Sequence, residues 1–220
     1  MYSAKTESIQ TRTRKRPYSI FSKDGIYPDP DKKKAILKVE HPKTPTDVRS
    51  FLGMVNYLGK FIPRLASHTR HLRELTLKNA EWKWNTEHQT EFKTIKQLIN
   101  DADKITYFDT GKKTHLHVDA GPNGLGALLS QEDNNVFYVV AYGSRALNKT
   151  EMRYSQIEKE MLAAAWAMDH FKLYLLGNTF ELYTDHKPLL HILQSLEQDR
   201  NEIQPDRKGD ASCCLGHGSF

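Results

Sequence analysis

The chain has 220 residues, room for one or two compact domains, and 38% of them are hydrophobic, enough to form a core. A net charge of +5 fits a polyanionic partner and equally fits an ordinary solvated surface. The two cysteines, Cys213 and Cys214, are adjacent, which excludes a disulfide framework and a cysteine-built zinc site. Because no apolar run approaches the length of a membrane span, no membrane partner is expected. We expect an intracellular, reducing environment, with cytoplasm and nucleus both open.

Residues 1–24 are predicted to form a basic tail, in which positive charge and hydroxyl groups combine in the stretch TRTRKRPYS. Such a stretch is typical of a nuclear address or a phosphate-binding arm, and also of a solvated, disordered tail. Ordered structure is expected to begin next to it, because Asp24 and Gly25 form a pair that favours a tight turn.

Residues 25–79 are predicted to form a mainly helical region. Thr44 can cap a helix that starts at Pro45, and apolar residues recur at helical spacing until Pro63 ends it. A second helix is predicted over residues 65–76. Basic side chains accumulate along these two helices, where they either follow a phosphate backbone or are ordinary solvated groups. They are Arg49, Lys60, Arg64, Arg70 and Arg73.

Residues 80–112 are predicted to be a linking segment with one amphipathic helix, which follows two tryptophans. Trp82 and Trp84 are placed either to stack on nucleic-acid bases or to anchor the core, and packing is the commoner role beside a helix start.

From residue 113 the pattern changes: THLHV alternates, GLGALLSQ is apolar and small, and VFYVVAYGSRAL is β-branched and aromatic. These runs predict three successive strands in an antiparallel meander. A long helix follows, with Ser155 and Glu158 in a capping-box pattern and Gly177 at its expected end. A fourth strand, FELYTDH, and a further helix, KPLLHILQSLEQ, complete residues 113–197. The order of these elements predicts an α/β fold, a mixed sheet with flanking helices.

Three acids occupy unusual positions in this region. Asp119 and Asp185 end predicted strands, and Glu160 shares a helical apolar face with Met161 and Met168, whereas Lys159 is expected on the solvent side. Each has an ordinary explanation: a turn residue, a helix cap, or a carboxylate paired with a basic side chain. Together the three predict a cluster that a divalent cation neutralises, and oxygen ligands favour Mg²⁺ or Mn²⁺ over zinc.

In this order, the segments HVDAGPNGLGALL, YSQIEKEMLAAAWA and YLLGNTFELYTDHKPLLHIL resemble the RNase H domain of gypsy-type LTR retrotransposon reverse transcriptases. The upstream segments FLGMVNYLGKFIP and EWKWNTEHQTEF resemble the thumb and the linking region that precede it. The resemblance therefore implies a thumb-like region at 25–79 and an RNase H-like fold at 113–197.

The resemblance also implies a function: two-metal hydrolysis of the RNA strand of an RNA–DNA hybrid. Asp119 would bridge both ions, and Glu160 and Asp185 would hold the ion on the leaving-group side. Hybrid or other duplex nucleic acid would be the partner, mostly through sugar and phosphate contacts, and other parts of the polyprotein are further candidates.

The resemblance is incomplete in three respects. The family's fourth carboxylate belongs to a downstream motif, residues 198–220 do not align with the family, and Asp206 and Asp210 follow Asp185 too soon to replace it. Gly121 stands where the family usually has serine. The polymerase signature is absent, so no DNA synthesis is expected from this chain. Two alternatives to an active nuclease stay open: a duplex-binding remnant without catalysis, and a nonfunctional fragment with an out-of-frame tail.

Overall fold

The computed structural model describes the backbone of residues 14–16, 19–185 and 213–216, and the side chains of residues 19–185. Most of the predicted basic tail, the helix predicted after the fourth strand, and Asp206 and Asp210 lie outside these residues. Among the described helices, none combines the length and apolar character needed to cross a membrane.

A small antiparallel sheet opens the described chain, with strand order β1-β2-β3. Gly25, with a φ of 144°, makes the turn between the second and third strands. The predicted turn at Asp24 and Gly25 is therefore present, and the first two strands lie within residues 1–24, the predicted basic tail. They are ordered because their backbone groups pair with the third strand, whose Ile26 pairs in turn with Ile105. The strands are β1 (Arg14–Arg16), β2 (Ser19–Ser22) and β3 (Gly25–Pro28).

Helices then surround a first hydrophobic core, in which Phe51 and Phe92 pack with ring centroids 4.7 Å apart. Trp84 contributes by packing against His41, with ring centroids 4.3 Å apart, so the packing role of the tryptophans is confirmed. The helices are α1 (Pro30–Lys38), α2 (Pro45–Tyr57), α3 (Arg70–Glu74) and α4 (Thr86–Asp101), and 3-10 turns occupy Gly59–Phe61 and Leu65–His68.

A second core lies between the five-stranded sheet and the helix that crosses it. The sheet order is β6-β5-β4-β7-β8, with antiparallel pairing from β4 to β6 and parallel pairing from β4 through β7 to β8. The predicted α/β fold with a mixed sheet is confirmed, and the last strand extends it beyond the four strands that were predicted. The elements are β4 (Lys113–Ala120), β5 (Gly124–Asp133), β6 (Val136–Ala146), α5 (Gln156–His170), α6 (Lys172–Leu175), β7 (Phe180–Tyr183) and β8 (Cys213–Gly216), with a 3-10 turn at Glu151–Arg153.

Three predicted helices are shorter in the structure than in the sequence pattern. The helix that starts at Pro45 ends at Tyr57, the next is interrupted at Thr69, and α5 stops before Phe171 although Gly177 has the expected positive φ of 76°. At Thr69 the cause is local, because its hydroxyl donates to the carbonyl oxygen of Ala66, 3.1 Å away, and so competes with the helical pattern.

The buried face of α5 is rotated relative to the predicted one. Lys159, expected in solvent, is 9% exposed, and Met161, expected in the core, is 41% exposed. Ala163, Ala164 and Ala167 are buried instead, because small side chains let the helix approach the sheet closely. Glu160 is buried in both the prediction and the structure.

Candidate metal centre and nucleic-acid contacts

The two aspartates come together because their strands are parallel neighbours. His117 of β4 pairs with Tyr183 of β7, and each aspartate follows its strand's member of that pair by two residues. The ends of parallel strands meet at one edge of a sheet, so Asp119 and Asp185 lie side by side at that edge.

Glu160 reaches the same edge from the helix. Ser155 caps α5 by accepting from the backbone N–H of Glu158, which fixes where the helix begins. The next residue, Gln156, donates from its side-chain amide to the carbonyl oxygen of Ala120 at 2.9 Å and to Oε1 of Glu160, one turn further along the helix, at 2.7 Å. Gln156 therefore joins the helix to the end of β4 and orients the glutamate.

The three carboxylates form one cluster. Asp119, Glu160 and Asp185 each offer an oxygen, and these oxygens lie within 4.8 Å of one another. The donor set suits a hard divalent cation, because it consists of carboxylate oxygens only. Moreover, Glu160 Oε2 is buried without a hydrogen-bond partner, which leaves it available to an ion.

The surroundings oppose negative charge at this cluster. Burial raises the pKa of Glu160 to about 7; repulsion from Asp185 and Asp119 adds to the effect, and the Gln156 hydrogen bond opposes it. Burial also raises the pKa of Asp119, against the lowering influence of the Arg64 guanidinium. A bound cation would reverse this balance, since positive charge favours the ionised acids.

The predicted basic set is divided among different places. Lys60 and Arg73 line a cleft of about 400 Å³ against β6, with Tyr142, Arg145 and His170.

The other three predicted basic residues make separate contacts. Arg49 donates to the carbonyl oxygen of Thr76, Arg70 pairs with Glu74, and Arg64 lies 3.2 Å (Nε to Oδ2) from Asp119. The structure therefore gathers two of the five in one cleft and places a third in the acidic cluster.

Sequence reasoning missed two contributors to the site. Gln156 carried a readable signal, because it stands four residues before Glu160 on one helical face. No sequence pattern indicated that Arg64 lies beside Asp119, since the two residues are 55 positions apart and only the tertiary packing brings them together.

Known proteins are similar to this chain in sequence and in fold. Residues 84–182 match the family model described as an RNase H-like domain found in reverse transcriptase. Over these residues the chain is similar to that family. The match begins inside the predicted linking segment, so the boundary at residue 113 stays a prediction.

Curated relatives extend the similarity to almost the whole chain. The transposon Tf2-3 and Tf2-4 polyproteins of Schizosaccharomyces pombe are each 34% identical over 208 residues. These alignments cover 93% of this chain and 15% of each relative, so the chain spans only a minor part of the length of these relatives.

Solved structures share the fold at low sequence identity. The foamy viral protease-reverse transcriptase dRH in complex with double-stranded DNA matches with a TM-score of 0.71 and 18% identity, over 94% of this chain and 38% of that one. The foamy viral protease-reverse transcriptase in complex with an RNA/DNA hybrid gives a TM-score of 0.70 and 18% identity, over 94% of this chain and 29% of that one. The RNase H-like fold is therefore confirmed for this chain.

Proposed function

We propose that this chain is the RNase H part of a retrotransposon reverse transcriptase and hydrolyses the RNA strand of RNA–DNA hybrids with Mg²⁺ or Mn²⁺. The observation that carries the proposal is the convergence of Asp119, Glu160 and Asp185 within 4.8 Å, from two strand ends and a helix. Charges gathered this closely repel one another, and a cation is the usual remedy.

Each residue near the cluster has a distinct task in this proposal. Asp119 would bridge two ions, and Glu160 and Asp185 would hold the ion on the leaving-group side. Bound ions of this kind activate water and stabilise the leaving oxygen of an in-line displacement. Gln156 keeps one glutamate oxygen fixed, and burial excludes water from the other. Because the pKa of Glu160 is raised to about 7, ion binding near neutral pH would release a proton from it.

Duplex binding is the second part of the proposal. The cleft beside β6 brings the cationic side chains of Lys60 and Arg73 together, which supports contact with a phosphate backbone. Burial lowers the pKa of Lys60, as expected for a cation that lacks sufficient counter-charge. Among fold neighbours, the foamy viral enzyme is described in complex with double-stranded DNA and with an RNA/DNA hybrid, which is consistent with a duplex ligand here.

A cleavage assay tests the nuclease. A hybrid labelled on its RNA strand is incubated with the protein and Mg²⁺ or Mn²⁺, and RNA fragments are expected from the wild type. Asp119→Asn should remove cleavage, because the amide cannot carry the bridging negative charge. Asp169→Asn is the control, since this aspartate has a side chain 76% exposed on the same domain. Undiminished cleavage by Asp119→Asn would reject the assignment.

Binding is measured separately, because its proposed contacts are distinct from the acids. Lys60→Ala should weaken hybrid binding and reduce the slope of log affinity against log salt by about 1. Salt-sensitive binding without any metal-dependent cleavage would instead identify the chain as a binding remnant. Absence of hybrid binding at low salt would reject both functions.

A further inference from the structure

The side chain of Arg64 lies between the proposed metal centre and solvent. Its Nε lies 3.2 Å from Oδ2 of Asp119, and its side chain is 49% exposed. We infer that Arg64 is a positioning residue that neutralises Asp119 in the metal-free protein and competes with the divalent cation for this carboxylate. The inference rests on the proposed metal centre and adds a residue from the helical region to it.

The backbone around Arg64 is held in an unusual conformation. Arg64 has a φ of 47° and a ψ of 32°, in the left-handed region that non-glycine residues seldom adopt. Such a conformation persists when neighbouring contacts fix it. Here the N–H of Ser67 donates to the Arg64 carbonyl oxygen at 3.0 Å, and the N–H of Ala66 donates to Ser144 Oγ of β6 at 2.8 Å. The first hydrogen bond closes the turn, and the second connects the turn to the sheet.

The sheet also provides room for the arginine side chain. Gly126 of β5 is the register partner of Asp119. A Cβ at Gly126 would lie 3.2 Å from Arg64 Cγ and 4.0 Å from Asp119 Oδ2. Any larger residue would therefore crowd the arm of Arg64. The cleft of about 400 Å³ at this place is lined by Arg64, Asp119 and Gly126, together with Pro63 and Tyr142.

Competition follows from the charges and distances. An ion bound by Asp119 would lie about 2 Å from the carboxylate oxygen, and the guanidinium already lies 3.2 Å from Oδ2. Two positive groups so close repel, so each weakens the binding of the other. The half-exposed side chain of Arg64 has a route into solvent when an ion binds, whereas the Asp119 backbone is fixed in β4. Arg64 should therefore lower the affinity of the centre for metal.

Metal titration without nucleic acid tests this directly. Mn²⁺ binding is measured by electron paramagnetic resonance for the wild type, Arg64→Asn and Arg64→Lys. Asparagine tolerates the left-handed backbone and removes the charge, whereas lysine keeps the charge. We expect Arg64→Asn to tighten the Mn²⁺ Kd about fivefold, which corresponds to about 1 kcal/mol for a partly exposed pair, and Arg64→Lys to stay near the wild type. Arg70→Asn is the matched control, because Arg70 pairs with Glu74 on the surface.

Melting curves provide a second measurement on the same proteins. In EDTA, Arg64→Asn should melt below the wild type, because the acids lose their counter-charge, and Mn²⁺ should raise its Tm by more than that of the wild type. If Arg64→Asn does not fold, Gly126→Ala replaces it, since the added Cβ would lie 3.2 Å from Arg64 Cγ and the arginine arm must shift by a few tenths of an ångström. Mn²⁺ binding should then also tighten, by less than in Arg64→Asn.

The outcomes separate the inference from the proposed function. Mn²⁺ binding that is equal or weaker in Arg64→Asn, with a normal wild-type affinity, overturns the competition and leaves the metal centre intact. Absence of Mn²⁺ binding by all the proteins, at millimolar concentrations and neutral pH, overturns both.

Discussion

Glu160→Gln should stabilise the metal-free protein in a pH-dependent manner. Glu160 is only 2% exposed, and this burial raises its pKa from the ordinary 4.5 to about 7. The difference of about 2.5 pH units, at about 1.4 kcal/mol each, makes the ionised carboxylate unfavourable to folding by about 3 kcal/mol. Because the raised pKa belongs to an acid, the folded state holds the proton more tightly, and stability is lost as the pH rises from 4.5 through 7. Glutamine removes this loss and keeps an oxygen to accept from Gln156.

Urea unfolding in EDTA at several pH values measures the effect. Glu160→Gln should exceed the wild type by up to about 3 kcal/mol at pH 8, and the advantage should vanish near pH 4. Glu158→Gln is a control of opposite sign on the same helix, because hydrogen bonds from the side chain and backbone of Ser155 lower the pKa of Glu158. That variant should lose stability at pH 8. A difference between Glu160→Gln and wild type that stays constant from pH 4 to pH 8 would refute the reasoning.

Three further predictions concern the fold around the site. Gly25→Ala should lower the free energy of unfolding by about 2 kcal/mol or more, since φ is 144° and the new Cβ would lie 2.6 Å from the Ile105 carbonyl oxygen; unchanged urea unfolding would contradict this. His117 should titrate by NMR near pH 4, because burial and then His115 lower its pKa to about 4, and a midpoint near 6.5 would count against it. Glu151→Gln should cost about 1 kcal/mol at pH 7 and progressively less on acidification, as the bidentate Arg145 lowers the pKa of Glu151 and that stability is lost when the carboxylate is protonated; a cost that does not change with pH would argue otherwise.

The strands and the long helix of the sheet domain could be predicted from sequence because the patterns that indicate them are local. The apolar and β-branched runs of β4 to β6 and the capping box at Ser155 each depend on a few neighbouring residues, and the structure has these three strands and this cap. The interruptions at Thr69 and Phe171 were not predicted, since the helical spacing of apolar residues continues through both positions and does not report a local hydrogen bond such as that of the Thr69 hydroxyl to the Ala66 carbonyl oxygen. The pairing of β8 with β7 was also not predicted, because no strand was expected in residues 198–220.

The acidic cluster was predictable in composition but not in electrostatic detail. Three acids at strand ends and on a buried helical face indicated a common edge, and the oxygens do lie together. The basic set shows the limit of the same reasoning, since charge and spacing cannot distinguish Lys60 in a cleft from Arg70 in a surface ion pair. Arg64 is in neither place: it lies beside Asp119, a contact that forms only when the helical region packs against the sheet.

The cluster is held by contacts that do not depend on its charges. Backbone pairing of β4 with β7 places the two aspartates, and the Gln156 amide, bonded to a backbone carbonyl, places Glu160. Repulsion among the acids therefore weakens the fold without dispersing the ligands, which is the arrangement that a preformed cation site requires. It follows that amide substitutions at Asp119 or Glu160 should preserve the architecture and so act on metal binding and chemistry. A loss of cleavage in such a variant, with an unchanged or higher Tm, would be a loss of function and not of folding.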